Sequence, residues 1–326
     1  MRSLIITEKD AGQRLDKLLG KYLNLAGKSF IYKMLRKKNI TLNGKKCDGS
    51  EKLSCGDEVK LFLAEETIEK FSEVKVQKVR KQELDILYED EHIALINKPS
   101  GMLSQKAKDT DESLVEYFID YLLDKGTIKE EDLKTFRPSV CNRLDRNTSG
   151  LVVAGKTLPG LQIMAAVFKD RSIHKYYQCV VKGVIKEKQL ITGFITKDEK
   201  TNQVKIWREE QPDSAPIMTE YEPLATVFRD GFSCTLLKVT LITGRTHQIR
   251  AQFAAAGHPL LGDGKYGKLD PHADRRYQAL YSYRLTFCFT TDAGVLAPLN
   301  GRSFQAADVE FVKTYFPDFR LPGIAE

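Results

Sequence analysis

Asn142-Arg143-Leu144-Asp145-Arg146-Asn147-Thr148-Ser149-Gly150, running directly into Leu151-Val152-Val153-Ala154, is the stretch on which the reading of this chain turns. Asn, Thr, Ser and Gly are turn formers, and a short apolar run behind them reads as a buried strand. Inside the turn, one carboxylate lies between two arginines, and neighbouring positive charge favours its anionic form. The stretch therefore predicts an anionic Asp145 on a loop at a sheet edge. A carboxylate so placed can act as a nucleophile, a base or an ion-pair anchor. By itself, an Asp in a turn is more often an Asx turn or a cap.

The chain has 326 residues, a length that predicts one large domain and one smaller one. It has no apolar run of about 18 residues, so no membrane-spanning helix is expected. The start, Met1-Arg2-Ser3-Leu4-Ile5-Ile6-Thr7-Glu8-Lys9-Asp10, is too briefly apolar and too soon acidic for a signal peptide. Cys47, Cys55, Cys141, Cys179, Cys234 and Cys288 are scattered, with no CxxC pair. They read as mostly strand-embedded small hydrophobes in a reducing cytoplasm, and no structural zinc site is expected. Residues 1–63 hold 14 Lys and Arg against 7 Asp and Glu, while the rest holds 37 of each. The whole net charge of +7 thus sits in the first fifth of the chain, a polyanion-binding appendage on a neutral body.

That appendage is patterned. Leu15, Leu18, Leu19 and Tyr22 recur at helical spacing. Ser29 is placed to cap a second helix with Ile31, Met34 and Leu35 on one face. Lys28, Lys33, Arg36, Lys37 and Lys38 occupy its other face and its end. Asn43-Gly44 between Ile40-Thr41-Leu42 and Lys45-Lys46-Cys47 is a hairpin signal, and Glu58 to Leu63 alternates as a strand. Two helices with a basic end followed by a small β element resemble the S4-type RNA-binding module, over roughly residues 12–64. The resemblance implies that those five basic residues meet phosphates of structured RNA. Residues 65–83 are charged and poor in apolar residues, and read as a linker. Within them Lys75, Lys78, Arg80 and Lys81 read as part of a solvated tether.

From Leu84 to Met102 the pattern is strand, tight turn, strand and a Pro/Gly turn. Helices are predicted around Ser113 to Leu123 and over Gly160 to Phe168. Strands are predicted at Tyr176 to Val181, Phe232 to Leu241 and Tyr281 to Phe289. Without a regular βαβ alternation, this is an α+β domain on a mixed, mostly antiparallel sheet. Three more segments carry polar groups in numbers. Ser172 to Gly183 is a strand with phenols near its start. Leu241-Ile242-Thr243-Gly244-Arg245-Thr246-His247-Gln248-Ile249-Arg250 is a turn entering a helix. Gly257-His258-Pro259-Leu260-Leu261-Gly262-Asp263, with Lys265-Tyr266-Gly267 behind it, is a Gly-punctuated loop.

In this order, the Arg-Leu-Asp-Arg-Asn-Thr-Ser-Gly block, the Lys-Tyr-Tyr strand, Gly-Arg-Thr-His-Gln-Ile-Arg and Gly-His-Pro followed by Gly-Asp resemble the RluA family of pseudouridine synthases. The resemblance runs from about Leu84 to Phe289. With the basic module in front, it points to the large-subunit ribosomal RNA branch, the RluC and RluD types, nearer RluC. It implies three regions: an S4-type domain at 1–64, a linker at 65–83 and a catalytic domain with the pseudouridine synthase fold at 84–326. The family's reaction replaces the uridine N1–C1′ bond with a C5–C1′ bond.

The resemblance implies that Asp145 is the catalytic carboxylate, acting on the sugar, on C6 of the base or through a glycal route. It implies that Arg250 pairs with that Asp and that Tyr177 is the active-site tyrosine, stacking on uracil or moving a sugar proton. Tyr176 is then the core tyrosine, by the period-2 register. Arg143 is implied to fill the space of a flipped-out uridine, while Arg245 supports the loop or contacts phosphate. One departure stands out: many members have His where this chain has Asn142, and an amide hydrogen-bonds without acid–base chemistry. His247 and His258 read as structural or RNA-contacting, since no third ligand is suitably spaced. The isomerisation calls for no redox change and no energy input, so neither cofactor nor metal is expected. A monomeric cytoplasmic enzyme acting on large-subunit ribosomal RNA is the main expectation. A non-catalytic RNA-binding assembly factor and a transfer-RNA synthase are the alternatives.

Overall fold

The computed structural model describes all residues except 75, 230, 269–275, 308 and 321–326. Lys75 of the charged stretch therefore lies outside the described residues.

The N-terminal module consists of β1 (Arg2–Ile5), α1 (Leu15–Tyr22), α2 (Lys28–Arg36), β2 (Ile40–Leu42), β3 (Lys45–Lys46), β4 (Glu58–Leu61) and α3 (Glu65–Phe71). Its four strands form an antiparallel sheet in the order β1-β4-β2-β3. Leu15, Leu18, Leu19 and Tyr22 are the buried face of α1, and Ile31, Met34 and Leu35 that of α2. Asn43 and Gly44, with φ of 50° and 72°, turn β2 into β3. Two local expectations are corrected. Helix α2 begins at Lys28 after Gly27, and no side chain caps it, so Ser29 is not the cap. The expected linker is helical at its start. Helix α3 buries Ile68 in the module's core, the anchor that holds an otherwise charged segment in place.

The large region contains β5 (Ile86–Glu89), β6 (Ile93–Lys98), α4 (Leu114–Asp124), β7 (Ser139–Val140), β8 (Ser149–Gly155), α5 (Leu158–Lys169), β9 (Ile173–Lys182), β10 (Gln189–Asp198), β11 (Gln203–Trp207), β12 (Ala215–Arg229), β13 (Phe232–Leu241), α6 (Gln248–Ala255), β14 (Leu280–Phe287), β15 (Ser303–Gln305) and α7 (Glu310–Tyr315). One sheet runs β11-β10-β12-β13-β9-β14-β8-β6-β5, with β15 beside β14 and β7 beside β8. Among the strand pairs of the described residues, only β14–β8 is parallel. The α+β class and the mostly antiparallel mixed sheet are as the sequence pattern predicts.

Because side chains alternate across a strand, the apolar run at 151–154 supplies two cores at once. Leu151 and Val153 enter the core on one face, with Met164, Phe287 and Phe311. Val152 and Ala154 enter the other, with Phe118, Val239 and Phe253. Strand β8 is thus interior, and the loop before it enters the middle of the sheet rather than the expected edge. Of the six cysteines, Cys179 and Cys234 lie in strands and the other four lie outside them, another departure from expectation. The regions meet where Lys9 Nζ donates to the Thr127 carbonyl at 3.0 Å and Leu158 N–H donates to the Lys9 carbonyl at 3.1 Å.

Candidate active site

The loop between β7 and β8 is strapped down almost residue by residue. Cys141 N–H donates to the Val153 carbonyl at 2.7 Å. Asn142 Oδ1 accepts from Val153 N–H at 2.8 Å, and its Nδ2 donates to the Leu151 carbonyl at 3.3 Å. Asn142 is therefore a clamp on the strand that follows. Leu144 is buried, its N–H and carbonyl both bonded to Ser104 Oγ, at 3.0 and 2.8 Å. Thr148 N–H donates to the Asp145 carbonyl at 3.0 Å, closing a turn. Asp145 stands at the start of that turn, its side chain 25% exposed.

A residue that sequence pattern alone passes over completes the anchoring. Lys98, at the end of β6, is wholly buried, with Nζ donating to the carbonyls of Pro99 (2.9 Å), Met102 (2.8 Å) and Arg146 (3.0 Å). Burial lowers its pKa, to about 7, while the Asp145 charge pulls the other way. Only the ammonium has three N–H groups to give, and each carbonyl takes one, which favours the charged form. Gly101 N–H also donates to the Arg146 carbonyl. A cleft of about 500 Å³, lined by residues 99–103, 110–112, Tyr117 and Arg146 among others, opens beside the loop.

Helix α6 brings the second part. Arg250 is buried and divides its guanidinium between two carboxylates. Nη1 donates to Asp145 Oδ2 at 2.8 Å, while Nε and Nη2 donate to Asp263 Oδ2 and Oδ1 at 2.7 and 2.8 Å. The bidentate pair fixes the plane of the guanidinium and aims its remaining edge at Asp145. Burial works against the arginine charge, but Asp263 and Asp145 push its pKa up. Asp263 is fully buried at its side chain, which favours neutrality. Arg250 and the N–H groups of Lys265 and Tyr266 nevertheless hold it below its usual carboxylate range. His247 Nε2 lies 3.7 Å from the same Asp145 Oδ2, and its Nδ1 is 2.8 Å from the Tyr266 hydroxyl. Among the described residues, Asp145 Oδ1 has no hydrogen-bond partner.

Strand register brings the third part. Lys98 pairs with Gly150, Gly150 with Ser282, Ser282 with Tyr177 and Tyr177 with Val239, in one row across five strands. Tyr177 is 6% exposed and packs in the core on the α4 and α6 side. Burial pushes its phenol up to about 12, with Ser282 opposing and the Asp145 charge adding to the rise. Tyr176 faces the other core and lies under the Arg284 guanidinium at 4.2 Å.

The RNA pseudouridylate synthase family matches residues 92–255. The chain belongs to this family. The ribosomal large subunit pseudouridine synthase C of Vibrio vulnificus (strain CMCP6) is 31% identical over 283 residues, 84% of this chain and 81% of that protein. The protein of the same name from Escherichia coli (strain K12) is 30% identical over 289 residues, 85% and 82%. An uncharacterized RNA pseudouridine synthase of Aquifex aeolicus is 31% identical over 258 residues, 78% and 77%. Human RNA pseudouridylate synthase domain containing 1 shares the fold, with a TM-score of 0.54 at 20% identity over 76% of this chain and 94% of that one.

The structure of this synthase thus gathers Asp145, Arg250 and Tyr177 on one face of the sheet. Arg143 and Arg245 are exposed beside the site, without ion-pair partners among the described residues. Lys28, Lys33, Arg36, Lys37 and Lys38 are all exposed on the N-terminal module. Lys98, Asp263 and Tyr266 were not singled out from sequence. Asp263 and Tyr266 stood in a quoted motif, but their roles depend on contacts 13 and 19 residues away along the chain. Among the described residues, no cluster of His, Cys, Asp or Glu is placed to hold a metal ion, and no helix is long and apolar enough to cross a membrane.

Proposed function

We propose that this RNA pseudouridine synthase isomerises uridines of large-subunit ribosomal RNA, with Asp145 as its catalytic carboxylate. The observation that carries the reading is the one-sided tethering of Asp145. Arg250 Nη1 holds Oδ2 at 2.8 Å, while Oδ1 has no hydrogen-bond partner among the described residues and the side chain is a quarter exposed, which leaves it available to a substrate. Arg250 is the ionic partner and Tyr177 the stacking or proton-transfer group. Arg143 occupies the space of the extruded base, with Arg245 near the phosphates.

The substrate class rests on the relatives named ribosomal large subunit pseudouridine synthase C and on the basic excess of the first 63 residues. In this reading residues 1–64 are an S4-type RNA-binding domain and residues 84–326 are the catalytic domain. Lys28, Lys33, Arg36, Lys37 and Lys38 contact RNA phosphates. The enzyme works as a monomer in the cytoplasm.

The test is release of tritium from C5-labelled uridine in large-subunit ribosomal RNA, with Asp145→Asn alongside. The C5 hydrogen is lost when C5 becomes the glycosidic carbon. Release by the wild type alone is expected. Release from transfer RNA but not ribosomal RNA would reassign the substrate, and release by Asp145→Asn would remove the carboxylate from the mechanism.

A further inference from the structure

His247 is the first residue of α6 in all but its backbone. Its φ and ψ of 53° and 17° are left-handed, a conformation that costs energy for a residue with a side chain. The strain places the imidazole between two partners. Nδ1 lies 2.8 Å from the Tyr266 hydroxyl, and Nε2 lies 3.7 Å from Asp145 Oδ2.

The hydrogen bonds around the ring favour one placement of its proton. Val204 N–H donates to the Tyr266 hydroxyl oxygen at 3.0 Å. That oxygen is then already an acceptor, and its own proton is free to be given. Among the described residues the acceptor within reach of it is His247 Nδ1, which favours the Tyr266 hydroxyl as donor. An Nδ1 that accepts leaves the proton of a neutral imidazole on Nε2. Burial keeps the ring neutral, reinforced by Arg250 and Lys265 and opposed by Asp145 and Asp263. Nε2–H is then the donor that lies 3.7 Å from the carboxylate oxygen that Arg250 already holds. The separation is just beyond hydrogen-bond reach, and catalytic hydrogen bonds of this kind tighten in the Michaelis complex.

We infer that His247 is a second positioning residue for Asp145. Its Nε2–H donates to Oδ2 when the site closes, and the Tyr266 hydroxyl fixes the tautomer that makes this possible. The inference rests on Asp145 being the catalytic carboxylate. Two donors on Oδ2, from different directions, set the rotation of the carboxylate about its own axis, and with it the direction of Oδ1. Arg250 alone sets a distance but leaves that rotation open.

The test uses the full chain, C5 tritium release from large-subunit ribosomal RNA and four variants. His247→Phe keeps an aromatic ring but has no donor, and is expected to lower kcat by about tenfold to a hundredfold. KM should stay within about twofold, because a group that only orients Asp145 adds nothing to ground-state binding. His247→Gln, whose amide reaches about as far as Nε2, is expected to recover most of that loss. Nitrogen NMR of the imidazole in the wild type should show a protonated Nε2 and a bare Nδ1. Tyr266→Phe should let the proton redistribute and lower kcat in part. A protonated Nδ1 in the wild type overturns the inference. So does an unchanged kcat in His247→Phe while Asp145→Asn is dead. An active Asp145→Asn instead removes the carboxylate reading on which the inference rests.

Discussion

Gly150 and Ser282 meet so closely across the parallel β8–β14 pair that a Cβ on Gly150 would lie 2.3 Å from the Ser282 carbonyl oxygen and 2.6 Å from its nitrogen. Gly150 also has a φ of 114°, which other residues rarely adopt. Both neighbouring atoms are backbone, so nothing flexible can yield. Gly150→Ala must either separate the two strands or twist the residue out of its conformation. Strain and overpacking of this kind each cost about 1–3 kcal/mol. The expected outcome is a urea midpoint lowered by the equivalent of several kcal/mol. Tritium release should fall with it, because the Asp145 turn is continuous with β8. A midpoint equal to the wild type would show that the two strands separate freely.

Lys98 ties the same turn to the end of β6. Lys98→Met keeps the length of the side chain and removes all three donors. Three carbonyls then lose a partner, that of Met102 buried and those of Pro99 and Arg146 part-buried, and an unmet buried acceptor costs about 1–3 kcal/mol, less where water or a neighbouring N–H remains. The Arg146 carbonyl keeps Gly101 N–H, so the Pro99 and Met102 carbonyls carry most of the loss. Destabilisation by roughly 2–4 kcal/mol is expected on that basis. Hydrogen exchange measured peptide by peptide should rise first over residues 99–103 and 142–148. Faster exchange spread evenly over the sheet, with those segments no worse than the rest, would contradict the tie.

The sequence made some of this visible and hid the rest for physical reasons. Leu15, Leu18, Leu19 and Tyr22 announce α1 because one face is buried and the other is not. Val152 and its neighbours announce β8 because both faces are buried. Strands β10, β11 and β12 were not predicted. Residues such as Leu190, Thr192 and Lys197 on β10 are exposed or half-exposed on both faces, so the alternation that marks a half-buried strand is absent. Lys98 was invisible for the opposite reason. A lysine in a sequence reads as solvated, and only its three carbonyls, one of them 48 residues away, make burial tolerable. The family resemblance implied that Arg250 meets Asp145, but Asp263 becomes its second partner only once α6 and the following loop are folded together.

Glu89 gives the fold a predictable acid limit. Its carboxylate accepts from Lys156 Nζ, Lys125 Nζ and Tyr121 Oη, each at 2.7 Å, joining β5 to α4 and to the end of β8. Burial favours the neutral acid, yet the two lysines and the phenol hold the pKa down to about 2, against an ordinary value of 4.5. A depressed carboxylate stabilises the fold above its ordinary pKa and loses that contribution as pH falls towards its folded value. Lys125 is half exposed, so its share is screened, and the whole contribution is on the order of 2 kcal/mol. Glu89→Gln should therefore be less stable than the wild type by that amount at pH 7 and at pH 5.5. The difference should shrink steadily between pH 4.5 and about 2. Urea melts of both proteins at four pH values test this, and a gap that stayed constant down to pH 3 would exclude it.

The exposed lysines and arginines of α2 and the residues after it make a prediction about salt rather than pH. Lys33 and Arg36 lie on a short helix, with Lys37 at its C-cap, and the helix's other face is pinned into the module's core by Ile31, Met34 and Leu35. Their charges can therefore be removed without disturbing packing. Each phosphate contact releases condensed counterions, so log affinity falls with log salt by about 0.7–0.9 per contact. Replacing all three with Gln should flatten the slope for large-subunit ribosomal RNA by about 2. Affinity should drop most at low salt and least at high salt, where little is left to release. Thermal stability should be unchanged, because surface substitutions of this kind move it little. In the tritium assay the loss should appear in KM and not in kcat, since these side chains belong to a separate module from the Asp145 loop. An unchanged salt slope, with the protein folded and still binding RNA, would move the electrostatic anchor off α2 and onto the sheet domain.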